Sequence, residues 1–142
     1  MEPGSFQITL KVFLEKDGEF LVLRDRDSGT GDLPGGRLGR DEFYEPWHRA
    51  LEREFREELG EDVRYRLEEE PLFIFPHFVI KDQTEALGVA YRARYLGGKI
   101  VLSEEHDQMS WEKTDAYNPD GFFPPTLAAA VRRRLQEPDS GA

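Results

Sequence analysis

The chain of 142 residues contains no cysteine. That absence removes disulfides, thiolate zinc sites, thiol nucleophiles and iron–sulfur clusters at once. No apolar run approaches the ~18 residues of a membrane span. Met1 to Thr9 has neither the basic start nor the apolar stretch of a secretory signal. The expectation is a soluble, cytoplasmic protein. Basic residues are also in short supply: 19 Lys and Arg face 29 Asp and Glu, a formal charge of −10. A sequence-independent nucleic-acid binder or an anionic-membrane binder needs the opposite sign. If the ligand is phosphorylated, a cation must mediate. The length fits one domain, with core enough to fold without staples.

No internal repeat or low-complexity tract is visible. Phe6 to Leu14 and Phe20 to Leu23 read as a hairpin turning at Asp17-Gly18. Leu33-Pro34-Gly35-Gly36 reads as a tight, irregular turn, because proline fixes φ and glycine permits positive φ. A helix is expected from about Glu45 to Leu59, with Pro46 in its first turn and Gly60 as its stop. Strands are expected at Val63 to Leu67, Pro71 to Ile80, Leu87 to Leu96, Ile100 to Leu102 and around Trp111, the last after a polar loop from Ser103 to Gln108. A second helix is expected at Pro124 to Leu135, and a frayed tail from Pro138. This order argues for an α/β fold, a mixed sheet with helices on both faces.

The first helix carries the most information. On a wheel at about 100° per residue, Glu54 and Glu58 fall among Trp47, Ala50, Leu51, Phe55 and Leu59, and Glu57 borders that sector. Arg49, Arg53, Arg56, Glu45 and Glu52 take the solvated face. The three glutamates are i, i+3 and i+4 neighbours, so their charges repel. Local arginines offer one remedy, and a divalent cation the other. Three carboxylates without sulfur or imidazole specify a hard oxygen site, suited to Mg²⁺ or Mn²⁺. The Gly35-Gly36 backbone lies just upstream and can approach the same face. Metal, carboxylates and open backbone together suit displacement at phosphorus.

Leu33-Pro-Gly-Gly36 followed by Arg53-Glu-Phe-Arg-Glu-Glu-Leu-Gly60 resembles the Nudix box, G-x5-E-x7-R-E-U-x-E-E-x-G-U, with U apolar. The resemblance implies an α/β/α sandwich over residues 1–137. It also implies Mg²⁺-dependent cleavage, with Mn²⁺ as the alternative, of a nucleoside diphosphate linked to another moiety. The products would be a nucleoside monophosphate and the phosphorylated moiety. Position by position, Glu54, Glu57 and Glu58 would be metal ligands, with the Gly35 carbonyl beside them. Arg53 would orient the glutamates, and Glu54 is the preferred base. The acidic segment Ser103 to Trp111 resembles a family loop that supplies a further acid; Glu105 is the candidate and Glu104 the runner-up. His106 reads as structural or exposed.

Two departures from the box stand out. Counting forward from Gly36 places the box glutamate at Glu42, and counting back from Arg53 places it at Glu45. About three residues are inserted, Asp41 to Tyr44 reading as that insertion, and spacing does not choose between Glu42 and Glu45. Glu61 replaces the apolar residue after Gly60.

The substrate is less legible. Phe13, Phe73, Phe75, Phe78, Tyr91 and Tyr95 are aromatic candidates for a base slot. Arg37, Arg24 and Arg26, with the Gly36 backbone, are candidates for phosphates. Damaged nucleoside triphosphates, ADP-ribose-like or sugar-linked diphosphates and dinucleoside polyphosphates stay open. A non-catalytic nucleotide sensor on the same fold is the rival reading. The family resemblance is compatible with a homodimer, and no apolar patch in the sequence demands one.

Overall fold

In the computed structural model, which describes residues 1–137, eight strands and two helices build one mixed sheet covered on both faces. The expected tail, 138–142, lies outside the described residues. Strand β1 (Gln7–Lys16) turns at Asp17 and Gly18, both at positive φ, into antiparallel β2 (Glu19–Asp25). Positive φ at both central residues gives the turn the twist a two-residue hairpin needs. Short strands β3 (Gly31–Asp32) and β4 (Gly35–Arg37) flank the Leu33-Pro34 turn. After helix α1 (Trp47–Leu59) come β5 (Arg64–Leu67), β6 (Phe73–Val79), the long β7 (Thr84–Gly97), β8 (His106–Lys113) and helix α2 (Pro125–Gln136).

Strands β1 and β7 run parallel over nine paired positions, and the other pairings are antiparallel. Alternation along β1 and β2 divides the core. Leu10, Val12, Leu14, Leu21 and Leu23 pack under α1 with Ala50, Leu51, Phe55 and Leu59. Phe13, Phe20 and Val22 face the other way, toward α2 with Leu127, Ala128 and Val131. Both faces of these strands are covered, so they read as continuous apolar runs.

The second edge of β1 is shared. Its Thr9 to Lys11 stretch pairs with β4, whereas Glu15 and Lys16 pair with β2. The sheet therefore opens where β2 and β4 part, beside Lys11.

Three local expectations change. Pro46 is the residue before α1, not inside it, and its carbonyl receives the Arg49 N–H. Ile100 to Leu102 is not a strand. The Val101 and Ser103 N–H groups instead donate to the carbonyls of Leu59 and Glu58, which the helix end leaves without partners. Strand β8 begins at His106, inside the segment read as loop, because β2 pairs with it through a bulge at Arg24 and Asp25. Among the described residues, no helix is long and apolar enough to cross a membrane.

Gly35 sits at φ 134°, and a Cβ there would collide with the Leu10 carbonyl. Gly35→Ala should lower unfolding stability by about 1–3 kcal/mol, the range for a forced, sparsely populated backbone conformation. Urea unfolding of the two proteins measures it.

Candidate active site

Helix α1 presents its three glutamates at three depths. Glu58 is buried, and its Oε1 accepts the Gly35 N–H at 2.8 Å. Glu54 is half-buried and Glu57 is exposed. A Cβ on Gly36 would lie 2.5 Å from Glu54 Oε1, so that carboxylate rests directly on the glycine backbone. Burial raises the Glu54 pKa, with Arg53 working against the rise.

Arg53 joins these acids. The wheel placed it on the solvated face, but its long side chain bends back and is only about one-third exposed. Nη1 donates to Glu54 Oε1 at 3.1 Å and to Glu57 Oε2 at 3.2 Å. Nε and Nη2 grip Glu42 at 3.0 and 2.8 Å. This fork-to-fork pair holds the Glu42 carboxyl below its ordinary pKa. Glu42 also accepts the Gly39 N–H, whereas Glu45 reaches only Arg49, at the surface. Of the two glutamates that spacing left undecided, Glu42 is the one that meets Arg53.

Behind Glu58 lies a buried polar group that sequence reasoning missed. Lys11 Nζ donates to Asp32 Oδ1 at 2.8 Å, and His106 Nε2 lies 2.9 Å from Asp32 Oδ2. Burial works to raise the Asp32 pKa, but Lys11 and His106 hold it well below the carboxylate range. Burial pushes the Glu58 carboxyl up to about 8, with Lys11 opposing. His106 Nδ1 is buried without a hydrogen-bond partner, 4.0 Å from Glu58 Oε2. Far from being exposed, His106 is only 2% accessible. One clue was visible: Lys11 is the only charge in the run from Ile8 to Leu14.

Lys11, Asp32 and Glu58 open into a cavity of about 420 Å³, lined also by Gly35, Gly36, Arg37, Glu105 and His77 among others; Arg53, Glu54, Glu57 and His106 do not line it. Glu105 arrives from the loop before β8, and Glu104 is not part of the lining. One donor atom each from Glu58, Glu105 and His106 lie within 4.8 Å of one another, so these three could hold a metal ion. Arg37 lines the cavity and pairs with Asp82 at 2.6 Å. Arg24 does not line it. Its guanidinium is tied to Asp107 at 2.7 Å, and Arg26 is tied to the Glu104 carbonyl. Of the aromatic candidates only Phe78 reaches the cavity. Phe13, Phe73 and Phe75 belong to the α2 core, and Tyr91 and Tyr95 to the α1 side. A larger cavity, about 720 Å³, opens at the hairpin end of β1 and contains none of the box residues.

No family model matches the chain. A MutT-like protein of Streptomyces ambofaciens is 33% identical over 105 residues, 73% of this chain and 61% of that protein. The chain thus spans less than two thirds of that relative's length. The fold matches a MutT Nudix hydrolase from Burkholderia pseudomallei with a TM-score of 0.66 at 24% identity, over 91% of this chain and 98% of the other. The chain belongs to the Nudix family. An ADP-ribose pyrophosphatase from Streptococcus suis shares this Nudix fold at a TM-score of 0.63 and 18% identity, over 94% of this chain and 96% of that one.

His77, on the cavity wall, has Nδ1 2.8 Å from Thr126 Oγ1, and burial pushes its pKa down to about 4. Between pH 6.5 and 4 the unfolded chain therefore binds a proton at His77 that the folded chain does not. Its contribution to stability is complete above about pH 6.5 and is lost as pH falls toward 4. Unfolding curves across this range should show a shallower acid loss for His77→Gln than for the parent protein.

Proposed function

We propose that residues 1–137 form a divalent-cation-dependent pyrophosphohydrolase. Its substrate class is a nucleoside diphosphate linked to another moiety, cleaved to a nucleoside monophosphate and the phosphorylated remainder. The observation that carries this reading is the set of α1 carboxylates against the Gly35-Gly36 backbone, gathered by Arg53, with Glu58 buried among charges that leave it uncompensated.

The residues fit a divalent cation. Glu58 has burial but no direct cationic contact, His106 Nδ1 is orphaned beside it, and the remaining donors are carboxylate oxygens. Glu54, Glu57 and Glu58 would hold the ion, with the Gly35 carbonyl and Glu105 beside them. When bound, such an ion polarises phosphoryl oxygens and lowers the pKa of a water. Arg53 positions Glu54 and Glu57 while Glu42 fixes the guanidinium. Glu54, raised in basicity by burial, is suited to take the proton of the attacking water. Gly36 has no side chain to keep a diphosphate away, and Arg37, which lines the cavity while paired to Asp82, would have to release that partner to reach one. Arg24 has no part in this arrangement. The ADP-ribose pyrophosphatase neighbour places ADP-ribose among the substrates to try first.

Mg²⁺ and a panel of oxidised and normal nucleoside triphosphates, ADP-ribose, nucleotide sugars and dinucleoside polyphosphates test the reaction, with products separated by chromatography. Metal-dependent release of a monophosphate is expected for one class. Nucleotide binding without release across the panel would favour the sensor reading. With a cleaved substrate in hand, Glu57→Gln should lower kcat about 100-fold or more, beyond the range seen for outer partners of a metal site. Its exposure leaves the fold intact. Wild-type rates in that variant would refute the ligand assignment.

Glu42→Gln should cost about 10–100-fold, as for a group that orients others. Glu45→Gln should leave the rate unchanged. Steady-state kinetics on the pair reads the difference directly.

A further inference from the structure

His106 has two ring nitrogens, and the fold accounts for only one. Asp32 accepts from Nε2 through Oδ2, while its Oδ1 accepts from Lys11 Nζ. Nε2 is therefore the N–H donor to Asp32, and Nδ1 is the ring nitrogen left to face Glu58. That nitrogen is fully buried, has no hydrogen-bond partner, and lies 4.0 Å from Glu58 Oε2. A buried polar atom with no partner costs about 1–3 kcal/mol.

The wider arrangement is that of a metal-binding histidine. Such rings donate their far N–H to a carboxylate, which fixes the tautomer and raises the basicity of the other nitrogen. Here Lys11 holds Asp32, Asp32 holds Nε2, and the His106 ring, Glu58 and Glu105 each bring one donor atom to within 4.8 Å of the others. These residues come from β1, β3, α1 and the start of β8, so the donor set is assembled by the fold and not by one acidic run.

We propose that Glu58, Glu105 and His106 form a mixed oxygen–nitrogen cation site, with His106 Nδ1 as a ligand, and that this nitrogen makes the site select Mn²⁺ over Mg²⁺. The inference rests on the cation-dependent reading above and adds a donor of a different chemical kind. Mg²⁺ favours near-octahedral oxygen ligands and dehydrates reluctantly. A first-row transition ion gains more from imidazole.

The test is Mn²⁺ binding to the full chain, followed by electron paramagnetic resonance. Pulsed spectra should show a directly coupled nitrogen, and growth on ¹⁵N-histidine should change that coupling in the unmutated protein. His106→Gln retains an amide donor for Asp32 but no ring nitrogen. It should lose the coupling and bind Mn²⁺ about tenfold more weakly or worse, judged against the effect of outer partners, with much less change for Mg²⁺. Circular dichroism checks that the variant is folded. The isotope experiment stands even if it is not.

Tight Mn²⁺ binding with no histidine nitrogen coupling, weakened by Glu57→Gln, would overturn this inference and leave the carboxylate site of the proposed function in place. No binding of Mn²⁺ or Mg²⁺ at millimolar concentration would overturn both.

Discussion

A single hydrogen bond, from the Gly35 N–H to Glu58 Oε1, fixes the relation between helix α1 and the Gly-Gly turn. It ties the last turn of the helix to the strand that borders β1, and so sets the height of Glu54 over Gly36. The bond is made by a carboxylate drawn out of water, which resists ionisation up to about pH 8. A leucine at this place would fill the same space without the desolvation cost. Keeping a carboxylate here lowers stability, and that makes physical sense where the charge is used.

The sheet supplies the room. β1 gives one end of its outer edge to β2 and the other to β4, and Lys11 lies where the two partners separate. Its neighbours Leu10 and Val12 point under α1, while Lys11 shares the opposite side of β1 with Phe13. In a closed sheet the lysine would be an unpaired charge in the α2 core. In the opening it meets Asp32, which in turn meets His106. The polar chain behind Glu58 thus follows from strand pairing, and it reaches the cavity only because β3 and β8 both pair with β2.

What could be read beforehand depended on distance along the chain. The positions of Glu54 and Glu58 among apolar residues followed from helical periodicity, which needs only neighbours within a few turns. The Pro-Gly-Gly turn was equally local. Asp32 and His106 are 74 residues apart and meet through a strand pairing that no local pattern encodes. The choice between Glu42 and Glu45 was open because each satisfies half of the spacing, and only the reach of the Arg53 side chain tells them apart. Ile100 to Leu102 looked like a strand because its residues are apolar and follow a Gly-Gly turn. Its amides were already needed by the end of α1. Arg24 looked like a phosphate ligand from its place near the loop, but Asp107, 83 residues on, takes its charge.

The charges around Arg53 do not balance. One guanidinium serves Glu42, Glu54 and Glu57, and Glu58 stands apart from it with only a backbone donor in direct contact. The bidentate grip of Glu42 takes the geometry Arg53 would need to neutralise either of the others fully. Glu54 and Glu57 therefore keep much of their negative field, directed toward the Gly36 backbone. Glu58, buried below them and pushed up to about 8, keeps its proton near neutral pH and adds to that field only when it ionises. Three glutamates of identical chemistry thus come to differ through depth alone: one solvated, one half-buried on glycine, one buried and reluctant to ionise. Separating carboxylates by environment is how one residue type comes to play unlike roles in a single site. In this chain the separation follows from where 54, 57 and 58 fall around α1 relative to its covered face.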